Sequence, residues 1–338
     1  MQRFLLIQMV LLLFAAMRPA PSTVIAATTT TPKLRCVESP ESVEIRYGDT
    51  LLLRYNIVAP PAPSEALSHY ERNGYLHPIC SMNGVQVTGD FASDHPHQHG
   101  LFTAWTKTKF GGRTIDFWNQ HKELGIVVHE KVLETTNNET DAGFQVSLLH
   151  CEVKKDGTRS PVLRDTWTVR VSIPKKATRA VYDLSFTFEQ TNITQLPFKI
   201  QEYHYGGFGL RGSNEWHSEA SKQALADYVS GKQSERPKLQ HALSRFQTSL
   251  GQDRKTGNHS RPNWVSLFGS VQGELVGVRL FCDPTNDRHP HPVRLHPTKP
   301  YFSVSPCVLG ELILQPGESR KTNYRIEVFE GQQDWMTP

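Results

Sequence analysis

Apolar and polar residues alternate along most of this chain. Trp167, Val169, Val171 and Ile173 interleave with Thr168, Arg170 and Ser172, and Tyr182, Leu184, Phe186 and Phe188 interleave with Asp183, Ser185, Thr187 and Glu189. A period of two puts successive side chains on opposite faces, so each run predicts a strand with one dry and one wet face. The pattern returns at Tyr324, Ile326 and Val328. Further strands are expected at 42–47, 50–57, 75–82, 101–106, 125–135, 143–153, 198–203, 264–270, 275–282 and 311–315. Turn signals separate them: Tyr47-Gly48-Asp49, Asn83-Gly84, Lys155-Asp156-Gly157, Gln272-Gly273 and Gln315-Pro316-Gly317. Many strands with short turns and no alternating helices predict an all-β fold, a large antiparallel β-sandwich.

Residues 213–260 depart from this pattern. They are polar and hold two helix-like stretches, one at 219–229 and a clearer one after Pro237. The latter puts Leu239, Ala242, Leu243, Phe246 and Leu250 on one stripe, with Gly251 as a stop. The expectation is a helical insertion in a single sandwich domain at 41–331, either a surface ornament or a cover over a site. Residues 27–40, with the run Thr28 to Thr31 before Pro32, read as a flexible leader. Before them, Arg3 precedes an apolar stretch from Phe4 to Met17 broken only by Gln8. Pro19 and Pro21 then lead to small residues at Ala26 and Ala27. This is the pattern of a signal peptide over 1–26. Its apolar stretch is shorter than the ~20 residues a membrane-spanning helix needs. An exported protein, periplasmic or secreted, with no stable membrane span after cleavage is therefore expected.

Composition narrows the class further. The 338 residues include 37 Lys+Arg and 33 Asp+Glu, a net charge of +4 without a run of five like charges. At 38% hydrophobic and 21% charged the chain can bury a core, which excludes a disordered reading. A nucleic-acid binder usually carries a concentrated basic face, so no nucleic-acid partner is expected. Cys36, Cys80, Cys151, Cys282 and Cys307 lie far apart with no C-x-x-C pair, which argues against a structural zinc site. Up to two disulfides and simple burial as small hydrophobes are both open.

Candidate chemistry concentrates in Asp94-His95-Pro96-His97-Gln98-His99. On an extended chain His95, His97 and His99 would share a face. Imidazoles so placed hold zinc, copper or iron, with Asp94 as ligand or orienter. They equally move protons or hydrogen-bond a polyol. Pro96 makes this segment a loop entering the strand at Leu101. Asp116-Phe117-Trp118-Asn119 joins a carboxylate, aromatic planes and an amide, as a sugar-binding cleft does, although a turn with core aromatics reads the same. In Glu202-Tyr203-His204-Tyr205-Gly206-Gly207-Phe208-Gly209-Leu210-Arg211 the first and third side chains share a face, and Arg211 could hold a carboxylate. Those glycines lack the spacing of a nucleotide fingerprint. A fourth polar loop, Asn286 to Pro292, reads as solvent-exposed.

These segments carry a family likeness. YLHPICSMNGVQVTGD, DHPHQHGLFTAW, DFWN, YHYGGFGLRG and YRIEVFEG resemble the motifs of the DUF6807 family, once labelled PmoA-like methane oxygenase, across roughly 40–331. The fold suggested for that family resembles the galactose-mutarotase-like supersandwich, whose concave sheet presents His and carboxylate residues to pyranose rings. The resemblance thus implies a carbohydrate or other small polar ligand. Together with the residues above, it assigns catalysis of an epimerase, lyase or hydrolase kind to His95, His97, Glu202 and His204. Ligand binding falls to His77, Asp94, Asp116, Trp118, Asn119 and Arg211. The alternatives are a non-catalytic sugar-binding module and a metal-dependent oxygenase. The latter would need a divalent metal (Zn, Cu or Fe) on His97 and His99. His77, His95, His97, His99 and His204 are expected around one cavity.

Overall fold

In the computed structural model, which describes residues 33–336 apart from 93, 175–179, 218–222, 224–226, 228–231 and 233–242, the alternating runs pair edge to edge in antiparallel sheets. One eight-stranded sheet runs β1 (Leu34–Glu38), β2 (Ser42–Tyr47), β3 (Thr50–Asn56), β4 (Leu76–Ile79), β5 (Leu101–Ala104), β13 (Gly207–Arg211), β18 (Tyr301–Val304), β17 (Val293–Leu295). The second runs β14 (Arg245–Thr248), β15 (Trp264–Val271), β16 (Glu274–Cys282), β20 (Ser319–Glu330), β11 (Val181–Asn192), β10 (Arg159–Ser172), β9 (Asp141–Val153), β8 (Gly125–Asn137). A four-stranded sheet, β19 (Leu312–Leu314), β12 (Phe198–Ile200), β6 (Thr108–Phe110), β7 (Arg113–Ile115), completes the fold. The bounded helical elements are 3-10 turns of three to six residues. Among the described residues no helix is long and apolar enough to cross a membrane.

Register follows from burial. Trp167 sits opposite Phe188, Val169 opposite Phe186 and Val171 opposite Leu184. A slip of one residue would turn all six out of the core, so the dry face fixes the pairing. The core lies between the two large sheets. Tyr55 of β3 meets Trp167 at 5.9 Å between ring centroids, and Phe208 of β13 meets Phe186 at 5.8 Å. Polar links cross the same interior. Tyr182 donates its hydroxyl to the carbonyls of Leu52 (3.1 Å) and Cys80 (2.9 Å). The Asp165 carboxylate accepts from Thr103 Oγ1 (2.7 Å) and Gln190 Nε2 (3.0 Å).

Two expectations need correction, and one left open is decided. The leader assigned to 27–40 is strand β1 over Leu34–Glu38, paired with β2 in register and tied across the sandwich by Cys36 N–H to Asn137 Oδ1 at 2.6 Å. The apolar stripe after Pro237 is not a helix through its end, because Arg245–Thr248 pairs with β15. Phe246 points inward there, while Leu243 and Leu250 are exposed. Leu239, Ala242 and nearly all of 219–229 lie outside the described residues, as does the 1–26 segment. All five cysteines are buried and free. Burial pushes the Cys36, Cys80 and Cys307 thiols up to about 11, which makes them inert small hydrophobes.

Candidate functional site

The first large sheet positions a cavity of about 120 Å³, lined by His95, His97, Gln98, Trp118, Asn119, His204, Tyr205, Arg294, His296 and Tyr301. Four stretches supply these residues: the loop entering β5, the turn after β7, the approach to β13, and β17 to β18. Their strands are neighbours, since β13 pairs with β5 on one side and β18 on the other. The turn after β7 is built by Asp116. Its Oδ1 accepts the backbone N–H groups of Trp118 (3.0 Å) and Asn119 (2.9 Å), and its Oδ2 accepts from Asn119 Nδ2 (2.9 Å) and Lys122 Nζ (2.7 Å). This seats the Trp118 ring against Phe102, Tyr205 and Tyr301, at centroid distances of 4.7, 5.5 and 6.1 Å. Gly209 makes room for it. A Cβ there would come within 2.7 Å of Trp118 Cη2 and 2.9 Å of Phe102 Cζ.

Behind the cavity lies a buried ion-pair network. Arg211 donates to both oxygens of Asp94, Nη2 to Oδ1 at 2.7 Å and Nη1 to Oδ2 at 3.2 Å, and to Gln98 Oε1 at 3.1 Å. His217 Nε2 lies 2.7 Å from Arg211 Nη2. Lys299 Nζ stands 3.7 Å from Asp94 Oδ2 and 2.7 Å from His95 Nδ1. Burial by itself would raise the Asp94 carboxyl, but Arg211, Lys299 and His217 outweigh it and hold it well below the usual carboxylate range. The pair orients its neighbours: Gln98 is fixed by Arg211, and His95 by Lys299.

The wall itself is weakly basic. Burial, Lys299 and Arg294 push His296 down to about 3, so it is a neutral ring at ordinary pH. His204 is lowered as well, by burial, Arg294 and His259. Burial raises Tyr205 to about 12 and raises Tyr301 as well, so both phenols keep their protons. No carboxylate lines this cavity. A divalent metal does not fit it either. The Lys299 ammonium stands against His95 Nδ1 and near Asp94 Oδ2, which disfavours a second cation there, and among the described residues no three His, Cys, Asp or Glu side chains converge as a ligand set.

His99 and His77 belong to a different cluster. His99 Nδ1 bonds Asp90 Oδ1 at 2.5 Å and its Nε2 faces Gln120 Oε1 at 3.3 Å, with the ring fully buried between Tyr75 and Phe91. Tyr75 donates its hydroxyl to Asp90 Oδ2 at 2.6 Å, and His77 Nδ1 meets Thr88 Oγ1 at 3.0 Å. Turns at 94 and 96–97 and a left-handed backbone at Gly100 (φ 42°) break the extended alternation that would have aligned His95, His97 and His99. At Gly100 a Cβ would fall 2.1 Å from the Leu76 carbonyl, so only glycine lets the loop close onto β4.

Residues 42–336 match a family of unknown function, DUF6807. The chain belongs to that family. No curated protein matches it. Among solved structures it is similar to a polysaccharide lyase at 10% identity over 90% of this chain and 33% of that one, with a TM-score of 0.33. The GH36 alpha-galactosidase AgaA from Geobacillus stearothermophilus is similar at 11% identity, over 89% of this chain and 41% of that one, with a TM-score of 0.36. A galactose mutarotase-like protein from Lactobacillus casei is similar at 9% identity, over 87% of this chain and 99% of that one, with a TM-score of 0.31. The chain spans less than half the length of the first two. At these TM-scores the likenesses carry no argument about the site.

In this DUF6807 protein, then, His95, His97, Trp118, Asn119 and His204 line the cavity, and the expected single cavity of five histidines keeps only His95, His97 and His204. Asp94 and Arg211 do not bind from its wall; each is satisfied by the other in a buried pair. Asp116 is a turn-builder whose oxygens are taken by its own loop. Glu202 is exposed and lies outside the lining, and His77 and His99 serve the Asp90 cluster. The sequence reading missed Arg294, His296, Lys299 and Tyr301. The signal for the last three was the polar stretch His296-Pro297-Thr298-Lys299-Pro300-Tyr301, which reads as an ordinary turn until β17 and β18 are paired. The loop from Asn286 to Pro292 is not simply exposed, since His291 is fully buried and bonded to Tyr324 Oη at 2.8 Å.

Proposed function

We propose that this DUF6807 chain is an exported protein that binds carbohydrate in the cavity above the Asp94–Arg211 pair. The composition of the wall carries this reading: the rings of Trp118, Tyr205 and Tyr301 stand beside Gln98, Asn119 and four imidazoles. A sugar presents C–H faces and hydroxyl edges, which aromatic planes and planar donor–acceptor groups match respectively. The space, about 120 Å³, is below the ~300–1,000 Å³ typical of drug-sized ligands and suits a single ring rather than a large cofactor.

The same wall supports proton transfer by an imidazole. His204 lines the cavity from an exposed position, where an imidazole reaches both a bound ring and solvent, and is the residue placed to move a proton. His296, pushed down to about 3, is a neutral hydrogen-bonding ring. Two-carboxylate glycoside hydrolysis finds no support, because both carboxylates would have to line the cavity. Calorimetric titration of the full chain with a panel of mono- and oligosaccharides tests the reading. At least one sugar is expected to bind, and His204→Ala, at an exposed position, to weaken it roughly tenfold without shifting the melting temperature, as loss of one or two hydrogen bonds implies. A correctly folded chain that binds no sugar would overturn it.

A further inference from the structure

The charge around the cavity is one-sided. Arg294 is the lining residue with a fixed charge, and no Asp or Glu lines the cavity to neutralise it. Its Nη1 donates to Asn258 Oδ1 at 3.0 Å, a neutral amide that fixes the guanidinium without taking its charge. Among the described residues no carboxylate lies within ion-pair distance of Arg294. The acid that does lie near the cavity, Asp94, is already held by Arg211 and Lys299. A guanidinium held in place, facing a cavity with no anion of its own, is a half-built site for a planar anion.

A second observation points the same way. A groove of about 630 Å³ adjoins the cavity, and its cations are Lys122, Lys154, Lys155 and Arg159, against the single carboxylate Glu123. Lys122 is held by Asp116, but Lys154, Lys155 and Arg159 are exposed. No described residue lines both depressions, but ring contacts and consecutive residues connect them, Asn119 lining the cavity and Gln120 the groove. The His97 ring on the cavity side is 6.3 Å from Tyr70 and 5.8 Å from His121. The neighbours of those two residues, His69, Gln120 and Lys122, line the groove.

We propose that the carbohydrate is acidic: a uronate ring sits in the cavity with its carboxylate on Arg294, and further units of the same glycan lie along the basic groove. This inference rests on the carbohydrate reading and adds the charge and length of the ligand. Single-ring binding needs the cavity alone, whereas an acidic oligomer gains from the groove by the accumulated attraction of successive charges.

The test is calorimetry at two salt concentrations with galacturonate, an oligogalacturonate and a neutral oligosaccharide of equal length. The oligogalacturonate is expected to bind at least tenfold tighter than the neutral chain and to weaken with salt. Arg294→Gln should cost the uronates tenfold or more and a neutral sugar of the same size several-fold less than that, because the neutral ring loses a hydrogen bond and no charge pairing. The combined substitution Lys154→Ser, Lys155→Ser and Arg159→Ser, on exposed positions that leave folding intact, should weaken the oligomer at least fivefold and spare the monomer. Equal or tighter binding of the neutral chain, insensitive to Arg294→Gln, would overturn the acidic assignment while leaving the carbohydrate reading standing. Monomer and oligomer affinities that are equal would overturn the groove. Absence of binding by every sugar would bring down the carbohydrate reading itself.

Discussion

At the residue scale, the site depends on groups that never touch a ligand. Arg211 and Asp94 are both almost fully buried, and each is the other's counter-charge. Removing Arg211 takes both short hydrogen bonds from the buried Asp94 carboxylate and leaves it the more distant Lys299 and His217, at 3.7 and 3.9 Å, so Arg211→Met should destabilise the protein by ~3–5 kcal/mol in chemical denaturation. The double change with Asp94→Leu should recover much of that loss. The Asp94 carboxyl titrates below its unfolded value of about 3.9. Its contribution is thus whole above about pH 4 and disappears as pH falls below that value towards the folded one. His296 acts in a different window. Folded it titrates at about 3, whereas an unfolded imidazole titrates near ~6.5. Above that range both states are neutral and nothing is gained or lost. Between the two values the unfolded chain takes up a proton that the folded one refuses, so stability falls with falling pH. The expected slope from this residue is up to ~1.4 kcal/mol per pH unit, and His296→Gln should flatten the unfolding free energy between pH 6 and 4 accordingly.

At the element scale, strand length and burial decide what the sequence shows. The long strands β10 and β11 were legible because each has one wet face: Val169 and Phe186 turn inward while Arg170 and Ser185 turn out. Strands β13 and β18 are buried on every residue, so Gly209, Arg211 and Ser303, which alternate with Phe208, Leu210, Phe302 and Val304, face no solvent and mark no wet face. Those two strands, with β5, hold the site. Its loops were visible as polar motifs, but which of them meet depends on pairings set by non-local burial. His95 and His204 were recognisable as chemistry; that Lys299 would stand against His95 was not, because 204 residues separate them in sequence. Gly209 on β13 tests the element directly. Gly209→Ala would drive a methyl into the Trp118 ring, and the expected cost is ~1–3 kcal/mol with a shift in tryptophan emission. An unperturbed emission spectrum would mean that β13 does not seat Trp118.

At the scale of the whole molecule, the two large sheets are joined by a polar bridge as well as by the core. Asp165 accepts from Thr103 and Gln190 and faces His150 Nε2 at 3.2 Å, and Gln190 in turn accepts from the Trp105 indole N–H at 2.8 Å. Asp165→Leu would leave those donors without an acceptor in a dry interior, and a loss of ~3–5 kcal/mol is expected in denaturant unfolding. A cost under ~1 kcal/mol would show that this bridge contributes little to holding the sheets together. The sandwich as a whole then acts as a rigid frame on which the 94–99, 116–119, 203–206 and 294–301 segments come together, although they are scattered in sequence.

The central claim is that this convergence forms one carbohydrate site and that the Asp90 cluster lies apart from it. Side-chain NMR of the histidines, followed during titration with oligogalacturonate, tests it most directly. The account predicts that His95, His97, His204 and His296 shift together with a single affinity, while His77, His99 and the buried His291 hold still. Shifts centred on His77 and His99, or none at the four cavity histidines when the ligand is bound, would contradict it.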